Sequence, residues 1–143
     1  MNAGEGERPV TRLGNDEPRI SIIVPALDEA AVIGDLLGAL APLRARGHEV
    51  IVVDGGSDDG TAEGAAAWAD RVMRAPRGRA RQMNAGASVA RGEVLWFLHA
   101  DSAIPEDADA SIRRAVARGA AWGWFDVRLS GAHPALRVVE WMM

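Results

Sequence analysis

The sequence contains no cysteine and no tyrosine, and all 16 of its basic residues are arginine, so lysine is missing too. Without cysteine there is no disulfide framework, no thiol nucleophile and no thiolate zinc site. Without lysine there is no Schiff-base chemistry and no phosphate loop of the kind that requires one. Without tyrosine there is no phenolic acid or base. The three histidines, His48, His99 and His133, are too scattered for a three-histidine zinc site. No apolar run approaches the ~20 residues of a membrane span. What remains for chemistry is carboxylates, arginine, backbone amides and a bound metal ion.

The 143 residues are the size of about one domain. A hydrophobic content of 48% and a charged content of 25% are those of an ordinary globular chain. The net charge of −4 argues against a nucleic-acid partner, which selects for a basic surface. The absence of cysteine fits a cytoplasmic protein.

Residues 1–19 are polar, aperiodic and rich in glycine and proline, which predicts a disordered tail. The short β-branched run from Ile20 to Pro25 reads as a buried strand ended by its proline. From Glu29 to Arg46, Ile33, Leu36, Leu37, Leu40 and Leu43 recur at steps of three and four. That is one apolar stripe of a helix, with Asp28 as its N-cap, Gly47 as its stop and Pro42 disturbing its last turn. A second buried strand covers Glu49–Asp54, a turn follows, and helix is expected over Thr61–Ala69. Arg71–Arg74 reads as a strand and Gly78–Ala90 as an Ala-rich helix. Val94–Leu98 reads as a fully apolar and therefore central strand. Pro105 opens a further helix, with Glu106, Asp107 and Asp109 near its start and arginines near its end, matching the helix dipole. Trp122–Leu129 alternates like a strand, and Ala135–Met143 starts like a helix. Such β-α alternation predicts a mainly parallel sheet with helices on both faces.

In sheets of this class, ligands bind beyond the carboxyl ends of the strands. Three strand ends carry acids. At the second, Asp54 precedes two glycines, so its carboxylate could meet a nucleobase or ribose, or simply order the turn. Asp58 and Asp59 read as helix caps. At the fourth, His99 and Asp101 are two apart on extended chain and could face one cation; carboxylate with phosphate oxygens suits Mg²⁺ or Mn²⁺, and an imidazole favours Mn²⁺. The alternative is capping of the next helix. Arg77, Arg79 and Arg81, with Asn84, lie at a helix N-terminus, where arginine and free amides together suit phosphate. Gly-x-Gly-x-x-Gly is absent after the first strand, against a dinucleotide-binding dehydrogenase.

Four segments taken in order resemble glycosyltransferase family 2: Ile20–Glu29, Ile51–Thr61, Arg81–Gly86 and Phe97–Ser102. The resemblance covers residues 20–143. Leu98-His99-Ala100-Asp101 and the later Phe125-Asp126 are most similar to its bacterial branch associated with radical-SAM and selenodomain genes. It implies a Rossmann-like GT-A α/β fold and a nucleotide-sugar donor, with a UDP-sugar the commonest. Pro25, Ala26 and Leu27 would then line the nucleobase pocket, with Glu29 beside the nucleotide and Asp54 on the base. Arg81 would approach the diphosphate, and Asp101 with His99 would hold Mn²⁺ or Mg²⁺. The implied reaction is metal-assisted, inverting transfer to an acceptor hydroxyl, with the acceptor unspecified.

Three departures stand out. His99 replaces the first acid of the usual Asp-x-Asp, Gly55 replaces a common second Asp, and Leu27 and Asp28 replace Tyr and Asn, respectively, before the Glu. The acceptor half, with its acidic base, is missing, and Asp126 is the candidate that remains for that work. The reading therefore expects residues 20–143 to be the donor-binding part of a longer enzyme, inactive alone. Trp141, Met142 and Met143 form an apolar end suited to self-association or a membrane-peripheral contact. The other function classes compatible with the sequence are a non-catalytic nucleotide-sugar-binding or assembly module and a nucleotidyltransferase.

Overall fold

The computed structural model describes residues 17–125. Asp126, the expected helix over Ala135–Met143 and the apolar end at Trp141–Met143 lie outside them. The chain divides into two compact units, Met1–Arg113 and Arg114–Met143.

The first unit is built on a four-stranded parallel sheet in the order β3-β2-β1-β4, with β1 Ile20–Ala26, β2 Glu49–Asp54, β3 Arg71–Arg74 and β4 Val94–Phe97. The connecting helices are α1 (Ile33–Ala45), α2 (Thr61–Ala65) and α3 (Arg79–Val89), and α4 (Ala108–Ala117) follows β4. The alternation of strand and helix expected from the sequence is therefore present in these elements.

Successive residues of a strand face opposite sides of the sheet, and here both sides are covered. Ile20, Ile22, Val24, Val50 and Val52 pack on one side against the α1 stripe of Ile33, Leu36, Leu37, Leu40 and Leu43. Each such side chain contributes roughly 1.5–3 kcal/mol by leaving water. On the other side Ile23, Ile51 and Val53 meet Ala85 and Val89 of α3. This second interface is close because of Gly86: a Cβ there would stand 2.5 Å from Ile23 Cγ2 and 3.0 Å from Val53 Cγ2.

Several expectations are corrected. Helix α1 starts at Ile33, not Glu29, and Asp28 is not its N-cap. Asp28 has φ 52°, and Val32 occupies the cap position without a side-chain bond. The backbone amides of residues 28–30 are instead taken by side chains of the next loop, described below. Gly47 does end α1, at φ 93°, while Pro42 sits inside the helix. Pro25 does not end β1; it pairs in register with Val53. It is tolerated because β4 pairs only with Ile20–Ile23, so no ladder bond is demanded of Pro25 on that side.

Strand β4 is an edge of the sheet among the described residues, not a central strand. Its apolarity had suggested two covered faces, but Leu95 and Phe97 are each 41% exposed. Helix α2 stops at Ala65, with turns continuing toward Asp70. Asp109 lies in the first turn of α4, as expected, but it is 2% exposed and its carboxylate is engaged inside the protein. In the second unit, α4 ends in a Gly119 turn at φ 88°. Residues 122–125 carry no strand; Trp122 and Trp124 are exposed and stacked on each other at 5.3 Å. No helix among the described residues is long and apolar enough to cross a membrane.

Candidate functional site

The carboxyl ends of β1 and β2 and the N-terminus of α3 converge on a cavity of about 280 Å³. It is lined by Pro25, Ala26, Leu27, Glu29, Arg77, Gly78, Arg79 and Gln82. One wall is the β1 end and the turn after it. That turn is held by three consecutive backbone amides donated across to the β2–α2 loop. Asp28 N–H donates to Ser57 Oγ at 2.9 Å, Glu29 N–H to Thr61 Oγ1 at 2.9 Å, and Ala30 N–H to Asp59 Oδ2 at 3.0 Å. In return Asp58 N–H donates to Asp28 Oδ1 at 3.2 Å. Asp59 also accepts from Thr61 N–H at 3.0 Å, but neither it nor Asp58 is the N-cap of α2, a position held by Gly60 without a side-chain cap bond. The bonds to Asp59 hold its carboxyl below the ordinary aspartate range, Thr61 Oγ1 contributing most.

Asp54 is fully buried. Its Oδ1 accepts from Ser57 Oγ at 2.5 Å, and its Oδ2 accepts from Gly56 N–H at 3.1 Å and Ser57 N–H at 3.0 Å. Arg74 Nε adds an ion pair at 3.6 Å. Both oxygens are therefore engaged in ordering the turn, and Ser57 links this carboxylate to the Asp28 amide.

The opposite wall is Arg77, Gly78 and Arg79 at the start of α3, where a helix N-terminus and two arginines make an anion-favouring surface. Arg81, the arginine expected at the diphosphate, is not among the lining residues; its side chain lies against Gly78. Arg79 Nη1 lies 3.2 Å from His99 Nε2, which brings the end of β4 to the same place. Burial pushes the Glu29 carboxyl above its ordinary range, and the charge of Asp101 adds to this. The Leu27 backbone bond, His99 and Arg79 oppose it. Asp101, His99 and Arg79 are thus close enough to Glu29 to act on its charge.

No group of three or more His, Asp or Glu able to hold a metal occurs among the described residues. Asp101 and His99 offer one hard oxygen donor and one imidazole. That set fits a Mg²⁺- or Mn²⁺-sized ion whose remaining ligands are phosphate oxygens and water, since such ions are commonly held by one or two carboxylates plus substrate phosphates. The sequence reading gave Gln82 no role. A glutamine inside a helix carries no signal on its own; the hint was Gly55, whose missing side chain leaves room for it.

Residues 21–138 match the family described as Glycosyl transferase family 2. Over 96 residues the chain is 35% identical to the PGL/p-HBAD biosynthesis glycosyltransferase of Mycobacterium tuberculosis, a match that covers 62% of this chain and 38% of that one. Among solved structures, it is similar to a mannosyltransferase from Pyrobaculum calidifontis in complex with GDP-Man and Mn²⁺. The TM-score is 0.60 and the identity 29%, over 78% of this chain and 36% of that one. It is also similar to glucosyl-3-phosphoglycerate synthase from Mycobacterium tuberculosis in complex with Mn²⁺, UDP and glucosyl-3-phosphoglycerate. There the TM-score is 0.54 and the identity 27%, over 58% of this chain and 33% of that one. The chain therefore spans a little over a third of the length of the first relative and about a third of the two solved structures.

Proposed function

This chain belongs to glycosyl transferase family 2 and has the GT-A α/β fold, and on that premise we propose that it binds the nucleoside-diphosphate end of a sugar donor. The observation that carries this reading is the cavity whose one wall is an apolar strand end and whose other is a pair of arginines at a helix N-terminus. Pro25, Ala26 and Leu27 receive the nucleobase and Glu29 lies beside the nucleotide. Asp54 acts through the turn it orders. Arg77 and Arg79 meet the phosphates, with Arg81 behind them, because arginine offers paired donors to phosphate oxygens.

Asp101 and His99 hold a divalent ion, Mn²⁺ or Mg²⁺, which neutralises charge on the leaving diphosphate. Similar proteins solved with Mn²⁺ and with UDP or GDP-Man support that assignment. UDP is the donor nucleotide that the sequence motifs favour. Leu98-His99-Ala100-Asp101 supports the radical-SAM-associated branch of the family.

The reaction is inverting transfer of the sugar to an acceptor hydroxyl. The hydroxyl oxygen bonds to the anomeric carbon as the bond to the diphosphate breaks, and the bonding pair leaves with the diphosphate. A carboxylate takes the hydroxyl proton; Asp126 is the candidate. Residues 20–143 form the donor-binding part of this machinery.

The test is calorimetry with UDP and with GDP, with and without Mn²⁺, on the wild-type chain and on Asp101→Ala. Binding that needs Mn²⁺ and is lost in Asp101→Ala is expected. Metal-independent binding, or none by a folded chain, overturns the reading.

A further inference from the structure

The two walls of the cavity come from different parts of the chain, and one side chain bonds to both. Gln82 projects from the first turn of α3 and is 4% exposed. Its Nε2 donates to Ala26 O at 2.9 Å and to Val53 O at 2.8 Å, the carbonyls at the ends of two adjacent parallel strands. Its Oε1 accepts from Gly78 N–H at 3.3 Å, in the arginine-bearing turn. Both donor hydrogens of the amide are thereby used on strand carbonyls, and Ala26 O shares its bond with Gly55 N–H, which donates to it at 2.9 Å. Gly55 provides the second observation. A Cβ there would lie 2.9 Å from Gln82 Oε1, 3.0 Å from its Cδ and 3.1 Å from its Nε2, so the amide occupies the space that any other residue at 55 would enter.

We propose that Gln82 is a positioning residue that sets the distance between the nucleoside wall and the Arg77–Arg79 turn, and that residue 55 is glycine to admit it. The inference rests on the donor-binding reading above. Gln82 touches the strand ends and the turn, so its loss displaces the phosphate wall relative to the base wall. It therefore governs how much the second phosphate adds to binding more than it governs the nucleoside contacts. A residue needed only for folding would weaken every nucleotide alike.

The experiment compares UDP with UMP, and GDP with GMP, by calorimetry with Mn²⁺ on the full chain. The variants are Gln82→Met, which keeps the length but removes all three hydrogen bonds, and Gly55→Ala, which pushes the amide aside by one methyl. For the base that binds, the diphosphate-to-monophosphate affinity ratio falls about tenfold in Gln82→Met, the equivalent of one or two lost hydrogen bonds. Monophosphate affinity falls by a smaller factor than diphosphate affinity, through the bond to Ala26. Gly55→Ala lowers the same ratio in the wild-type background and has no further effect on Gln82→Ala, where the space is empty. An unchanged ratio in folded Gln82→Met, or equal loss of both nucleotides, overturns the proposal. Should Gln82→Met not fold, an unchanged ratio in folded Gly55→Ala overturns it equally. A wild-type chain that binds none of the four nucleotides overturns the donor-binding reading itself, which separates the two failures.

Discussion

The two ends of the sheet use the same kinds of side chain to opposite purposes. At the amino end, His48, Asp109, Arg46 and Arg113 form a closed cluster. Asp109 accepts from Arg46 at 2.8 and 3.1 Å, faces His48 Nε2 at 3.2 Å and pairs with Arg113 at 3.6 Å. His48 is 2% exposed and its Nδ1 accepts from Ile20 N–H at 3.2 Å. At the carboxyl end, Arg77, Arg79 and Glu29 line an open cavity, and Arg79 Nη1 lies 3.2 Å from His99 Nε2.

The titration behaviour follows the same division. Burial would raise the Asp109 carboxyl, but Arg46 and His48 hold it below its ordinary range. Glu29 is pushed above its ordinary range by burial and by Asp101. Arginine and carboxylate that have found each other add to stability. Those left facing a cavity remain available to a ligand, which is how perturbed groups gather at functional sites.

The largest expected effect comes from breaking the closed end. Asp109→Ala leaves Arg46 and the buried His48 without that acceptor, while Arg113 keeps Glu17 at 2.6 Å. It should cost about 3 kcal/mol in urea unfolding, at the low end for a severed buried pair because Arg46 is 43% exposed. Nucleotide affinity measured on the folded fraction should not change. A drop in affinity with unchanged stability would erase the distinction between the two ends.

Ser57→Ala sharpens the comparison from the other side. Its hydroxyl serves Asp54 and the Asp28 amide together, so the loss should be roughly 1–2 kcal/mol of stability, from two hydrogen bonds. Here nucleotide affinity should fall as well, because the braced turn carries Glu29. Arg79→Ala should do the reverse of Asp109→Ala. It should weaken UDP binding about tenfold through a lost charge-assisted bond and leave the melting temperature where it was. Unfolding curves and calorimetry on the same samples distinguish the three outcomes.

The fold was legible because its signals are repetitive. The five-residue apolar stripe of α1 and the β-branched runs of β1 and β2 each repeat one period, and all three elements are where that period puts them. The edge position of β4 was not legible, because Val94–Phe97 reads as apolar whether or not Leu95 and Phe97 are covered. Much of the candidate site was visible as strand-end acids and helix-start arginines. Its internal wiring was not. That Asp28 bonds Ser57 across 29 positions, that Asp109 turns inward to His48, and that Gln82 reaches Ala26 are long-range pairings, and local spacing carries no trace of them. Of the three arginines at the α3 start, spacing alone could not say that Arg77 and Arg79 face the cavity and that Arg81 lies against Gly78.

The smallest expected effect is the pH dependence that His48 brings to the closed end. The Ile20 amide can only donate, so His48 Nδ1 must be its acceptor and the proton sits on Nε2, toward Asp109. Burial lowers the affinity of His48 for a second proton; Asp109 opposes this, and Arg113 and Arg46 add to it. In the unfolded chain the imidazole returns to its ordinary value of about 6.5. Below that value the unfolded state takes up the proton first, so stability is complete above it and is lost as pH falls toward and through the lowered folded value. Protonation in the folded state would also put a proton against the Ile20 amide. The expected outcome is that urea midpoints of the wild type decline from pH 7.5 to pH 5.5. The decline should be shallower in His48→Gln, which is less stable at pH 7.5 but has no imidazole to protonate at that position. Asp109, held below the usual carboxylate range, gives up its contribution only in stronger acid, so the two windows do not overlap. Equal slopes in wild type and His48→Gln would assign the pH dependence to groups other than His48, and with it remove the claim that His48 makes the closed end proton-sensitive.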